Sequence, residues 1–233
     1  MKRLIYLCFL ICAMLTSCGD SSKTKTEKLA SLPPDTIRLD SVSKRDMLII
    51  LSILPDTITK SFHWSKADRV KLRRGIETKG YFVDSTHSFL NLKTFENNYV
   101  EFQSADASIR LNTYQISDGH YLVLIKEQRG NKQVLTPFEL YKISAVQMDM
   151  DLILGKYKYE FLKDPSDQNC LGMLYNKNPE FDYDITSPDV VIISMKNYSK
   201  DDSKECLKGN RLTLKFNKIK SPFDVVGIDW LDN

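Results

Sequence analysis

The chain reads as an α+β protein in which two short N-terminal helices precede an antiparallel β-meander and a second β-rich section. Three observations predict this. An apolar run at 41–56 and the Ser65-x-x-Asp68 spacing carry helix-start signals. From residue 79 the apolar positions recur every second residue over short spans, the period of a half-buried strand. Asn97-Asn98, Asp118-Gly119 and Arg129-Gly130-Asn131 stand between those spans as tight-turn signals.

The chain opens on Lys2 and Arg3, followed by the apolar stretch "LIYLCFLICAML" at 4–15. Such a run matches the core of a secretory signal and falls short of a membrane span, which needs about 20 residues. Leu15-Thr16-Ser17-Cys18 then resembles the lipobox of bacterial lipoproteins: a Leu, two small residues and a Cys. The resemblance implies a signal peptide at 1–17, cleavage between Ser17 and Cys18, and lipidation of Cys18 through a thioether. Two or three acyl chains make such an anchor effectively permanent, where one chain binds reversibly. The implied address is the bacterial cell envelope, at the periplasmic side of the outer membrane or its surface. After Cys18 come Gly19, Asp20, serines and lysines, rather than the acidic run associated with surface export.

Residues 18–36 read as a lipidated flexible tether. Their Ser, Thr and Lys cannot bury enough surface to fold, and Pro33-Pro34 ends the segment in an extended dipeptide. A unit of helices and meander is expected over 37–150. Ser43 is placed to cap a first helix running to Leu54, where Pro55 stops it, although Ile49, Ile50 and Ile53 keep a strand open. Ser65 starts a second helix, with Gly75 at the expected C-cap. The meander follows, with a two-residue hairpin at Asp118-Gly119 whose two positions both tolerate positive φ. A short helix is expected within 144–154.

A β-rich section is expected over 151–233, packed with the preceding unit. Its strands are "KYKYEFL" (156–162), "VVIISM" (190–195), "RLTLKFN" (211–217) and "DVVGIDWL" (224–231), and 163–188 and 196–210 read as loops. The buried "LSILPD" element, the "SKADRVKLRRG" helix and the "YQISDGHYLVLI" hairpin are together similar to uncharacterised, domain-of-unknown-function lipoproteins of Bacteroidota type. That resemblance implies no activity.

Composition narrows the function. Hydrophobic residues at 42% and charged residues at 27% suit a globular protein. The 33 Lys and Arg face 30 Asp and Glu, and loss of Lys2 and Arg3 with the signal leaves a balance near zero, with no general field to attract nucleic acid. Of five cysteines, Cys8 and Cys12 leave with the signal and Cys18 carries lipid. Cys170 and Cys206 remain for an oxidising compartment, where a pair tends to bond. Closing the 170–206 loop would contribute about 4 kcal/mol. Two separate thiols are the alternative. No His lies near either Cys, so no metal site is expected there.

No G-x-S-x-G elbow, H-E-x-x-H or Walker loop is present, and no cofactor is implied. His63 beside Trp64 reads as packing ahead of a helix, and His120 as a turn residue. Asp84, Ser85 and His87 read as a strand-to-strand turn rather than a catalytic group. Arg69 and Arg73, with Lys71 and Arg74 nearby, share a helix and could grip a lipid phosphate, though a solvated face is the simpler reading. Asp164, Asp167, Asp201, Asp202 and Glu205 would hold calcium only if their loops converged. Asn197-Tyr198-Ser199 matches a glycosylation sequon that a bacterial chain leaves unused. Three functions follow in order: a non-catalytic binding or assembly module, a glycan or small-ligand binder using Tyr81, Phe89, Tyr99, Tyr114 and Tyr121, and a hydrolase without a recognisable motif. The partners expected are the membrane, through the anchor, and an envelope protein or glycan. Cys18→Ser should end fatty-acid incorporation and move the protein to the soluble fraction; continued labelling with palmitate would refute the anchor.

Overall fold

A computed structural model describes residues 33, 36–59, 63–85, 92–176, 179–218 and 222–231. The expected signal, cleavage and lipidation positions, including Ser17 and Cys18, lie outside these residues. Among the described residues no helix is long and apolar enough to cross a membrane.

The described chain opens on a strand, β1 (Thr36–Arg38), which pairs antiparallel with β2 (Tyr81–Val83). Helices α1 (Arg45–Ile53), α2 (Asp56–Thr59) and α3 (Lys66–Lys79) lie between them. Six strands then form one antiparallel meander: β3 (Leu92–Phe95), β4 (Tyr99–Gln103), β5 (Ala107–Ser117), β6 (His120–Arg129), β7 (Lys132–Tyr141) and β8 (Ser144–Gln147). Beyond it come α4 (Met150–Ile153), a 3-10 helix at Gly155–Phe161 and α5 (Gln168–Asn176). Strands β9 (Phe181–Asp184), β10 (Val190–Met195), β11 (Arg211–Phe216) and β12 (Phe223–Asp229) close a four-stranded antiparallel sheet, with α6 (Lys200–Ser203) between β10 and β11.

This corrects the expected architecture. The protein is β-rich, built on three antiparallel sheets, and its helices lie largely in the middle of the chain rather than as an N-terminal pair. Strands β1 and β2 are each three residues long, too short to show a period of two. The largest local error is "KYKYEFL". Its Lys-Tyr alternation imitates a strand, yet the segment is a 3-10 helix whose buried side chains are Tyr157 and Phe161, with Leu162 buried just after it. The supposed loops at 163–188 and 196–210 contain α5, β9 and α6.

Capping chemistry explains several boundaries. Ser65 accepts from the Asp68 amide while the Asp68 carboxylate accepts from the Ser65 amide, a complete capping box. Gly75 is not the C-cap. Gly80 ends α3 in the left-handed region (φ +76°), and Gly75 instead lets β2 pass closely: a Cβ there would stand 3.1 Å from the Phe82 ring. Ser43 caps nothing; Lys44 precedes α1 without a side-chain cap bond. At the Asp118-Gly119 hairpin only Gly119 has positive φ, and the ladder shifts register between Gln115 and Ser117.

The six-stranded sheet is buried on both faces at its centre. On β6, Val123 and Ile125 join one core with α1 and α3, while Leu122 and Leu124 join a second with the C-terminal sheet. Strand β5 divides likewise, Ile109 and Leu111 facing one way and Tyr114 the other. Alternation thus gives one strand two cores.

The first core is pinned by Arg69, which is 1% exposed. Its guanidinium donates to the Leu51 carbonyl at 2.8 Å, the Trp64 carbonyl at 2.8 Å and the Leu54 carbonyl at 2.5 Å. It also reaches the Thr59 hydroxyl and, at 3.1 Å, Asp56. These are the carbonyls that α1 and the α2–α3 connection leave without helical partners. Burial lowers the Arg69 pKa, and the Asp56 carboxylate opposes that effect. Arg69→Leu would leave the Leu51 and Leu54 carbonyls without this donor, at about 1–3 kcal/mol each where no water reaches them, while the Trp64 carbonyl keeps the Thr59 hydroxyl. Urea unfolding should show a loss of about 3 kcal/mol or more, and Arg69→Lys should recover only part of it, because an ammonium lacks the planar fork.

Candidate functional site

Among the described residues, the histidines, basic residues and carboxylates singled out in the sequence do not gather at one place, whereas Cys170 and Cys206 do. His63 is exposed, with φ +56°, and its neighbour Trp64 does the packing, edge-on to Phe102 at 4.1 Å between centroids. His120 shares a 2.7 Å hydrogen bond with Glu139 on the neighbouring strand and meets the Tyr141 ring at 5.8 Å. Asp84 is buried and Ser85 exposed, while His87 and Phe89 lie outside the described residues. Arg69 is unavailable to any phosphate, and Arg73 pairs with Glu77 at 2.7 Å. The phosphate-gripping helix face therefore fails.

The carboxylates of the disulfide-bearing loops serve the backbone. Asp164 accepts from the amide and hydroxyl of Ser166, which lower its pKa, and Asp167 accepts from the Asn169 amide at the start of α5. Asp202 accepts from Ser199, the N-cap of α6. Among the described residues no three His, Cys, Asp or Glu side chains gather in a metal-holding group. In the sequon, Asn197 is exposed and Tyr198 buried.

The aromatic face expected on the meander is also absent. Tyr99 and Tyr114 are buried, and Tyr121 is half-buried with its hydroxyl on Asp46 at 2.8 Å. Burial holds the Tyr99 pKa at about 12, with Glu101 contributing. Tyr81 is half-buried in β2.

Cys170 and Cys206 form a disulfide, their Cα atoms 5.1 Å apart. It ties α5 to the turn after α6. The Lys163 amide donates to the Cys206 carbonyl, and the Lys208 amide to that of Phe161, both at 2.8 Å, so the same turn also clasps the end of the 3-10 helix. Tyr198 donates to the Met173 carbonyl at 2.8 Å. Described parts of both segments that read as loops are thus joined by a disulfide and backbone hydrogen bonds.

Between these joined segments lies a cleft of about 460 Å³, lined by the 3-10 helix, α5 and the start of β9. Tyr159 and Tyr175 stand at its wall, 40% and 62% exposed, with hydroxyls hydrogen-bonded to each other and ring centroids 6.4 Å apart. That hydrogen bond raises the Tyr175 pKa. Lys158 lies over the Phe181 ring at 4.8 Å and pairs with Asp151 at 2.6 Å. A second cleft of about 390 Å³ lies against the same Phe181 and is lined by Lys126, Lys132, Lys196, Glu180 and Asp182. Together the two offer aromatic faces, phenols and ammonium groups.

Sequence reasoning missed this site because it placed Tyr159 in a strand and Tyr175 in a loop. The signal was present: Asp167 ahead of Cys170, Leu171 and Leu174 is an N-cap followed by helical apolar spacing.

No protein-family model matches the chain, and no curated protein does. Among solved structures, the chain is similar to a domain of an uncharacterised protein from Porphyromonas gingivalis W83, with a TM-score of 0.46 and 9% identity over 79% of this chain and 98% of that one.

Cys206→Ala should lower unfolding free energy by about 2–4 kcal/mol. Hydrogen exchange should rise most in 168–176, the element released, and least in the centre of β6. Uniform loss across both would show that the disulfide does not act through α5.

Proposed function

We propose that this protein is a lipid-anchored component of the bacterial cell envelope whose folded part is a non-catalytic binding module. The anchor rests on Leu15-Thr16-Ser17-Cys18, and the 18–36 tether would hold the folded part away from the bilayer. The observation that carries the binding reading is the exposed Tyr159–Tyr175 pair on the wall of the first cleft. Two exposed rings side by side at a concavity offer a surface that a partner could cover. The disulfide and the Tyr198–Met173 hydrogen bond cross-link the frame beneath them, and a cross-linked frame suits recognition because less ordering entropy is lost on binding. The described imidazoles, His63 and His120, do not line the cleft, and its one carboxylate, Asp151, is paired with Lys158 at 2.6 Å.

The test uses the full lipidated protein, purified in detergent and immobilised. Tyr159→Ala/Tyr175→Ala should keep the thermal midpoint of the parent within a few degrees while losing retention of the native-envelope component that the parent holds. Equal retention by both would remove the cleft from the function.

A further inference from the structure

Resting on the reading of the Tyr159–Tyr175 cleft as the binding site, we propose that its ligand is an N-acetylated sugar whose acetamido group pairs with the backbone of Phe181.

Strand pairing leaves that backbone free. The Lys196 amide donates to the Glu180 carbonyl, and successive residues of an antiparallel strand turn their backbone groups to alternate sides. Glu180, Asp182 and Asp184 therefore face β10, while Phe181 and Tyr183 face away from it. Met195, opposite Phe181, agrees with this register, because its amide turns away from β9 and donates to the Asn210 carbonyl at 2.8 Å. Strand β9 is the outer strand of its sheet and Phe181 is part of the cleft wall, so a ligand in the cleft can reach these outward groups. Among the described residues neither the Phe181 amide nor its carbonyl has a hydrogen-bond partner.

The neighbours on either side restrict what can pair there. An extended peptide adds a strand through outward groups that recur every second residue. Two residues after Phe181, the Tyr183 amide donates to the Asp182 carboxylate at 2.9 Å, and the Tyr183 carbonyl accepts from Lys126 at 2.6 Å. Two residues before it stands Pro179, which has no amide hydrogen to give. A strand ladder is stopped in both directions, and one donor and one acceptor remain side by side. That pair matches a single secondary amide, whose carbonyl accepts from the Phe181 amide while its N–H donates to the Phe181 carbonyl.

The rest of the wall sets the class of molecule that carries this amide. Tyr159 and Tyr175 are exposed, and they line the same cleft as Phe181. An Asn or Gln side chain would fill the amide site and leave those rings uncovered. A pyranose that bears an acetamido group also brings an apolar C–H face for the rings and hydroxyls for the phenols.

The test is calorimetric titration of the full lipidated protein in neutral detergent with three ligands: the N-acetylglucosamine trimer of chitin, cellotriose, and an end-blocked glutamine tripeptide. Cellotriose has the same linkage as the chitin trimer, with hydroxyls in place of the acetamido groups. The N-acetylated trimer should bind, and cellotriose about ten-fold more weakly or less, the scale of two lost hydrogen bonds. Tyr175→Ala should weaken the trimer about ten-fold, the usual scale for a lost aromatic stack. Phe181→Pro removes the outward amide without removing a ladder bond, a change that edge strands tolerate, so it should weaken the trimer beyond Phe181→Ala, which loses the ring alone. In the parent protein, exchange of the Phe181 amide hydrogen should slow on adding the trimer and stay unchanged with cellotriose. Equal binding of cellotriose, or unchanged Phe181 exchange at saturating trimer, would overturn the acetamido assignment while leaving the cleft as the binding site. Tighter binding of the peptide, or no binding of any of the three, would overturn the sugar class; the retention experiment with the double tyrosine variant judges the cleft separately.

Discussion

The burial of one sheet on both faces governs the rest of this structure. Strands β5 and β6 carry apolar side chains to both sides, so neither the α1–α3 layer nor the C-terminal sheet can be removed without uncovering half of them. Burying a Leu or Ile side chain contributes about 1.5–3 kcal/mol, and the two faces hold several each. The central strands make each layer depend on the other.

Polar groups fix the orientation of the layers that apolar burial brings together. On the helical side, Arg69 gathers the carbonyls of Leu51, Leu54 and Trp64 around one guanidinium. On the other side, Asn112 projects from β5 and donates to the carbonyls of Ile185 and Ser187, both at 2.9 Å, while Lys126 reaches the Tyr183 carbonyl from β6. Hydrophobic contact alone tolerates sliding, whereas a buried donor left without its acceptor does not. The Asn112 and Lys126 bonds place the β9 segment, and with it Phe181, against the meander. The two clefts beside Phe181 are therefore a consequence of how the C-terminal sheet docks.

The disulfide completes that geometry from the opposite wall. It holds α5, and so Tyr175, against segments organised by the 3-10 helix that carries Tyr159. An oxidising envelope compartment would keep this bond formed, which links the address expected from Leu15-Thr16-Ser17-Cys18 to the cross-linked frame of the proposed site.

Particular elements show what could be read from the chain alone. The amphipathic alternation of β5 and β6, the Ser65–Asp68 capping box and the turn at Gly119 are encoded over a few neighbouring residues, and the sequence determined them. The cysteine count singled out Cys170 and Cys206 as a candidate pair but left two separate thiols open, and the bond itself is a finding of the structure. The lipobox-like motif is likewise a local pattern, and the expected lipid anchor rests on it alone. Only the tertiary structure decided that Arg69 is a buried pin rather than a surface cation, that Tyr99 and Tyr114 face inward, and that Tyr159 and Tyr175 share a wall. The physical reason is distance along the chain. Arg69 is satisfied by carbonyls up to 18 positions away, and the cleft joins residues from 151 to 181, so no local period or spacing encodes either. Burial on two faces is a property of the packed layers, and the exposed rings become a site only after those layers have met.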